Sequence, residues 1–158
     1  MQRPEPRLVA LFLAIAFAPH LGATVYHSDG SEANVQAIHD TNAHDGDTIT
    51  LPAGTFIWIT GVSLTKGITV SGQTRITGAG TANCTANDQT IIIDQKSHLG
   101  GGKVLKATIP AGKSFRLTGI TFRNGTSTQY GGNGAIELNG TGFVNSARID
   151  NCHFDHLY

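Results

Sequence analysis

Asp150, His153 and Asp155 lie in one short stretch near the end of the sequence, with His156 beside the last of them. Arg116 and Arg148 stand 32 residues apart, in stretches that otherwise match position by position. Two carboxylates joined by an imidazole on one strand and turn read as a polar patch on an outer face, at the edge of a sugar groove. The two arginines would stack into a basic column able to face an acidic polysaccharide. Arg123 and Lys113 belong to the same set of cations. The plainer reading is a solvated outer face, because exposed cations on strands commonly protect edges and keep a protein soluble.

Other reactive residues carry weaker patterns. Asp45 and Asp47 flank Gly46, where turn and cap residues are expected. His27, His39 and His44 lack the fixed spacing of a metal site and are expected at the surface. Trp58 offers a ring for stacking on a sugar, but Ile57 and Ile59 beside it favour packing near the start of the fold. Cys84 and Cys152 would be free to pair in an oxidising compartment. Cys152 reads better as a small inward hydrophobe, so the pairing stays open. No metal ligand set is legible.

The elements that position these residues are mostly short strands. Ser31 to Ala43 is the one convincing helix, with Ser31 as N-cap and Glu32 in the first turn. From Thr48 onward, runs rich in Ile, Val and Thr alternate with turn residues. They are Thr48 to Leu51, Thr55 to Ile59, Val62 to Leu64, Ile68 to Val70 and Thr90 to Asp94. Val104 to Ile109, Phe115 to Phe122, Ala135 to Leu138 and Ala147 to Phe154 follow. Gly78 to Asp88 reads as a loop.

Self-similarity decides the architecture. Leu117-Thr118-Gly119-Ile120-Thr121-Phe122 repeats as Ile149-Asp150-Asn151-Cys152-His153-Phe154. Apolar residues at the first, fourth and sixth places cannot share one face of a straight strand. A bend is required at the third, where Gly and Asn most readily take the left-handed conformation. Val70-Ser71-Gly72 is a weaker third copy, and Leu51-Pro52-Ala53-Gly54 echoes Ile109-Pro110-Ala111-Gly112. Short strands, left-handed bends and a repeat of this length predict an all-β solenoid, a parallel β-helix with a short N-terminal capping α-helix. Val70, Leu117 and Ile149 would form one inward ladder, and Phe122 would lie over Phe154. Asn124-Gly125 and Asn139-Gly140 leave an antiparallel sandwich as the rival.

Composition agrees. Of 158 residues 20 are glycine, against a usual ~7%, and only 14% are charged, against ~25%. A formal net charge of zero lacks the basic footprint of a nucleic-acid binder, so no nucleic-acid partner is expected. A hydrophobic fraction of 39% is not that of a disordered chain. Residues 1–23 have the order of a secretory signal peptide: Arg3 and Arg7, the apolar run Leu8 to Ala18, then a small-residue cleavage site at Ala23. Residues 24–158 would then be exported, to the periplasm or the extracellular space, without a membrane anchor.

The stretch from Gly46 to Phe56, with Lys66-Gly67-Ile68-Thr69-Val70, resembles the opening coils of secreted right-handed parallel β-helix proteins of the pectin-lyase-like superfamily. Arg148 to Phe154 is similar to their later coils, where Asn often takes the tight bend. The resemblance implies the fold across residues 24–158, and it implies an N-terminal portion whose later coils lie beyond Tyr158. It also implies action on polysaccharide by a lyase or a glycoside hydrolase, or a non-catalytic adhesin-like scaffold. Ca²⁺ is the cofactor implied, held by carboxylates on neighbouring coils. Hydrolysis would instead need carboxylates flanking a glycosidic bond. No complete catalytic set is visible. Asp150, His153, Asp155, Arg116 and Arg148 are the substrate-binding candidates.

Overall fold

The computed structural model describes residues 22–98, 102–125, 135–143 and 146–157. The stretch at 1–21, most of the expected leader, lies outside the described residues. The chain is mostly β-strand with few helices. A first strand, β1 (Val25–His27), precedes helix α1 (Glu32–Thr41). Then come β2 (Thr48–Thr50), β3 (Gly54–Trp58), β4 (Val62–Leu64), β5 (Thr69–Ser71), β6 (Arg75–Thr77), β7 (Thr85–Asn87) and β8 (Thr90–Asp94). A single helical turn, α2 (Gln95–His98), leads to β9 (Leu105–Ile109), β10 (Ser114–Thr118), β11 (Thr121–Arg123), β12 (Ile136–Gly140), β13 (Ser146–Asp150) and β14 (His153–Asp155).

Three sheets are parallel throughout. The first has the order β1-β2-β5-β10-β13, the second β3-β8-β11-β14 and the third β4-β9-β12. From β2 onward the chain visits first, second and third sheet in rotation. The antiparallel sandwich is therefore not formed. Asn124 instead turns the chain at φ 65°, and Asn139-Gly140 ends a parallel strand.

Register follows the inward apolar residues. Ile49 pairs with Val70, Val70 with Leu117, and Leu117 with Ile149. The first three are fully buried. Phe122 lies between Ile92 and Phe154, and its ring stacks on that of Phe154 at 5.6 Å. Burying a side chain of this size stabilises by about 1.5–3 kcal/mol, and every rung adds several. Ile149, Phe154 and Leu157 remain 41%, 44% and 40% exposed at the far end of this core.

Helix α1 begins where expected, with Ser31 Oγ accepting from Asn34 N at 3.2 Å. Its polar side chains meet the open edge of the third sheet. The Gln36 amide donates to Ser63 O at 3.0 Å and accepts from Ser63 N at 2.8 Å, as a neighbouring strand would. The Glu32 carboxylate accepts from the amides of Ile59, Thr60 and Gly61. Burial pushes Glu32 up, but these backbone donors outweigh it and hold it below its ordinary value. His39 departs from the surface position its sequence suggested. It is buried, with Nε2 accepting from Thr65 N and Nδ1 therefore donating to Asp40. Trp58 packs here as expected, fully buried, with Nε1 donating to Gly30 O.

Two expectations fail. Gly78 to Asp88 is not merely a loop: β7 lies within it and pairs antiparallel with β6, which precedes it. The Leu51 to Gly54 and Ile109 to Gly112 echo joins different corners, first sheet to second in one case and third to first in the other. Cys84 and Cys152, whose pairing the sequence left open, are both free thiols.

Candidate functional site

The corner between the first and second sheets is built by close backbone approach. A Cβ on Gly119 would stand 2.5 Å from Gly72 O, so only glycine fits. Between these neighbours the buried Thr74 hydroxyl ties the corner together, donating to Thr90 O and meeting Thr121 Oγ1 at 3.1 Å. The β6–β7 hairpin leaves the corner at this point and stands beside the outer face of the first sheet. An open cleft of about 700 Å³ lies between them, with Gln73, Arg75, Asn87, Gln89, Arg116 and Asn151 in its polar wall. Arg75 is exposed and faces no carboxylate partner among the described residues.

Two charged clusters flank this cleft. On the first sheet Arg116 donates to both oxygens of Asp150, at 3.2 and 2.9 Å. Arg148 Nε reaches the same carboxylate at 2.6 Å. Burial pushes Asp150 up, while the Thr118 hydroxyl and the two guanidinium groups bring it below the usual carboxylate range. On the second sheet Asp88 Oδ1 accepts from Thr121 Oγ1 at 2.7 Å and lies 2.9 Å from His153 Nδ1. Asp88 Oδ2 meets Arg123 Nη2 at 3.1 Å, and Arg123 Nε reaches Asp155 at 2.7 Å. Burial again works to raise Asp88, and Thr121, His153 and Arg123 hold it low. Asp155 is held low in the same way, by Arg123 and His156 against burial.

The five sequence candidates thus separate. Arg116, Arg148 and Asp150 form one cluster. His153 and Asp155 belong to the other, across the bend at Asn151. Of the five, Arg116 alone lines the cleft. Of the other cations, Lys113 pairs with Asp45 at 3.3 Å. Asp45 and Asp47 brace turns, accepting from Gly67 N and from Thr24 N and His44 N.

Sequence reasoning missed Arg75 and Asp88. Both belong to the hairpin excursion, which has no counterpart in the repeat. Asp88 nonetheless organises the second cluster, and a carboxylate closing that excursion was the available signal.

The carboxylates do not suit the calcium that the resemblance implied. Calcium requires several oxygens converging on one point. Asp88, Asp150 and Asp155 instead spend theirs on arginine, histidine and threonine. Among the described residues no three His, Cys, Asp or Glu side chains gather as ligands. No described helix is long and apolar enough to cross a membrane. Compared with known proteins, the chain matches no family model, no curated protein and no solved structure.

Proposed function

We propose that the chain is a secreted right-handed parallel β-helix protein similar to the pectin-lyase-like superfamily, and that its cleft binds polysaccharide. The rotation of strands through three parallel sheets supports the architecture. So do the matched left-handed bends at Gly119 and Asn151. The leader-like order of residues 1–23 supports export.

The observation that carries the binding role is the cleft itself. It is open and polar, with amides and hydroxyls to meet sugar hydroxyls and Arg75 to meet an acidic group. Affinity electrophoresis through gels containing pectate, alginate or a neutral galactan tests it. Retardation by an acidic polysaccharide is expected. Arg75→Ala should weaken it about tenfold, the loss of one charge-assisted hydrogen bond. No retardation in any gel would overturn the reading.

A non-catalytic role is favoured over hydrolysis by one feature. Asp88, Asp150 and Asp155 are each held in an ion pair with a guanidinium group, whereas a general acid must carry a proton. Ultraviolet detection of unsaturated product from pectate or alginate, with and without Ca²⁺, separates a lyase from a scaffold.

A further inference from the structure

Helix α1 covers the edge of β4 with side chains in place of a strand, and these side chains form one connected chain of hydrogen bonds. Gln36 takes both backbone groups of Ser63, and its amide also donates to Asp40 Oδ1 at 2.9 Å. Asp40 Oδ1 lies 2.7 Å from His39 Nδ1, and His39 Nε2 meets Thr65 N at 2.9 Å. Backbone groups alternate in direction along a strand, so Ser63 and Thr65 turn theirs to the same edge. A backbone N–H can only donate. His39 Nε2 therefore carries a lone pair, and the ring is neutral while it holds Thr65. His39 is only 2% exposed, and Thr65 N is the one hydrogen-bond partner of Nε2 among the described residues.

We propose that this contact is an acid-sensitive latch, in which a proton on His39 Nε2 releases the end of α1 from β4 and bares the edge of the third sheet. Protonation makes Nε2 a donor aimed at another donor, so the bond to Thr65 is lost. Lys66 adds to the cost, since its ammonium donates to His39 O. Two features favour the charge instead: Asp40 on Nδ1, and the last turn of α1, whose dipole attracts cations. Asp40 keeps its bond in either form of the ring, and its side chain is 55% exposed, so water screens it. The Nε2 end is buried, where an unpaired donor is not screened. The strands that α1 packs on, β2 and β4, carry no charged residue. Just beyond α1, Asp45 and Asp47 accept from backbone amides, Asp45 also meets Lys113, and His44 is exposed beside Asp47. The bonds from His39 and Gln36 hold Asp40 below its ordinary value. At Glu32 burial works upward, but the amides of Gly61, Thr60 and Ile59 outweigh it. Both carboxylates thus stay charged in mild acid, and His39 is the group in the latch that changes. The open form binds one proton more than the latched form, so acid favours opening. The proposal stands independently of the polysaccharide reading.

Amide hydrogen exchange read by NMR tests it, between about pH 7.5 and pH 5, which brackets the ordinary histidine range. Protection factors are compared, so the intrinsic pH dependence of exchange drops out. The Thr65 and Ser63 amides should lose protection about tenfold or more over this window, with a limit of about tenfold per pH unit for one proton. The Arg116 amide, bonded to Ile68 O at 3.0 Å within the first sheet, should keep its protection. His39→Gln sets a carbonyl oxygen in place of Nε2 and cannot titrate, so Thr65 should stay protected throughout. Ring nitrogen shifts of the unaltered chain give a readout that does not depend on the variant folding. They should show the proton on Nδ1 at neutral pH, and a second ring proton arriving in step with the loss at Thr65. Thr65 protection that is constant with pH, an equal loss in His39→Gln, a proton on Nε2 at neutral pH, or simultaneous loss at Arg116 would each overturn the proposal.

Discussion

Gly119 and Asn151 hold one left-handed bend in successive rungs, at φ 70° and φ 50°, each following paired residues Thr118 and Asp150. Their environments differ. Gly119 presses on Gly72, while Asn151 is exposed. Gly119→Ala should therefore cost more than the ~1–2 kcal/mol of a left-handed alanine, because its Cβ also meets Gly72 O. Asn151→Gly should change stability by only a few tenths of a kcal/mol. Urea denaturation followed by circular dichroism compares the two.

The stacked rings of Phe122 and Phe154 lie at different depths. Phe122 is fully buried, and Phe122→Ala should cost about 3–5 kcal/mol. Phe154 is 44% exposed, so Phe154→Ala should cost about half as much. Equal losses in thermal or urea unfolding would contradict the core described here.

Asp88 links the hairpin to two successive strands, and its folded pKa lies below the ordinary 3.8. A depressed carboxylate stabilises fully above its unfolded pKa and loses that contribution as pH falls through the folded value. Asp88→Asn should be less stable than the unaltered chain by about 1 kcal/mol at neutral pH, a figure kept small by partial exposure. The gap should close below the carboxylate range. Unfolding curves from pH 7 down to about pH 2.5 would show the convergence. A gap that persists there would assign Asp88 a purely steric role.

The two thiols should react at different rates. Burial pushes the Cys152 thiol up, which lowers its thiolate fraction and its access. Cys84 is exposed at the hairpin. Alkylation at mildly alkaline pH, read by mass spectrometry, should label Cys84 well before Cys152. A chain that takes no label until reduced would restore the Cys84–Cys152 disulfide.

Much of the strand register was legible because it rests on local stereochemistry. Leu117 and Ile149 could be paired from sequence since the bend after each breaks an otherwise regular alternation. The helix was legible from Ser31 and Glu32 for a similar reason. The hairpin was not. Its strands are largely exposed, so no apolar period marks Arg75 to Thr77 or Thr85 to Asn87. The Asp88 cluster then stayed hidden, because Asp88 itself lies outside the repeat that supplies its partners Thr121 and His153. His39 gave no sign of burial either. What makes it tolerable inside is Thr65 N, a backbone donor that no residue type encodes.

The hairpin has a consequence for how such a chain can change. Across the turn that holds it, the spacing between paired rungs more than doubles, from Thr48–Thr69 to Thr69–Arg116. Loop-closure entropy grows only logarithmically, so that doubling costs about 0.6 kcal/mol. Val70 and Leu117 stay in register regardless. Chain length at this corner is therefore thermodynamically almost free, while residues one step along the ladder are tightly constrained. Arg75 and Asn87 sit in the tolerant segment, so the wall of the cleft can be lengthened, shortened or rewritten there with little effect on the framework that carries it, whereas Asp88, bonded to β11 and β14, is not free in this way.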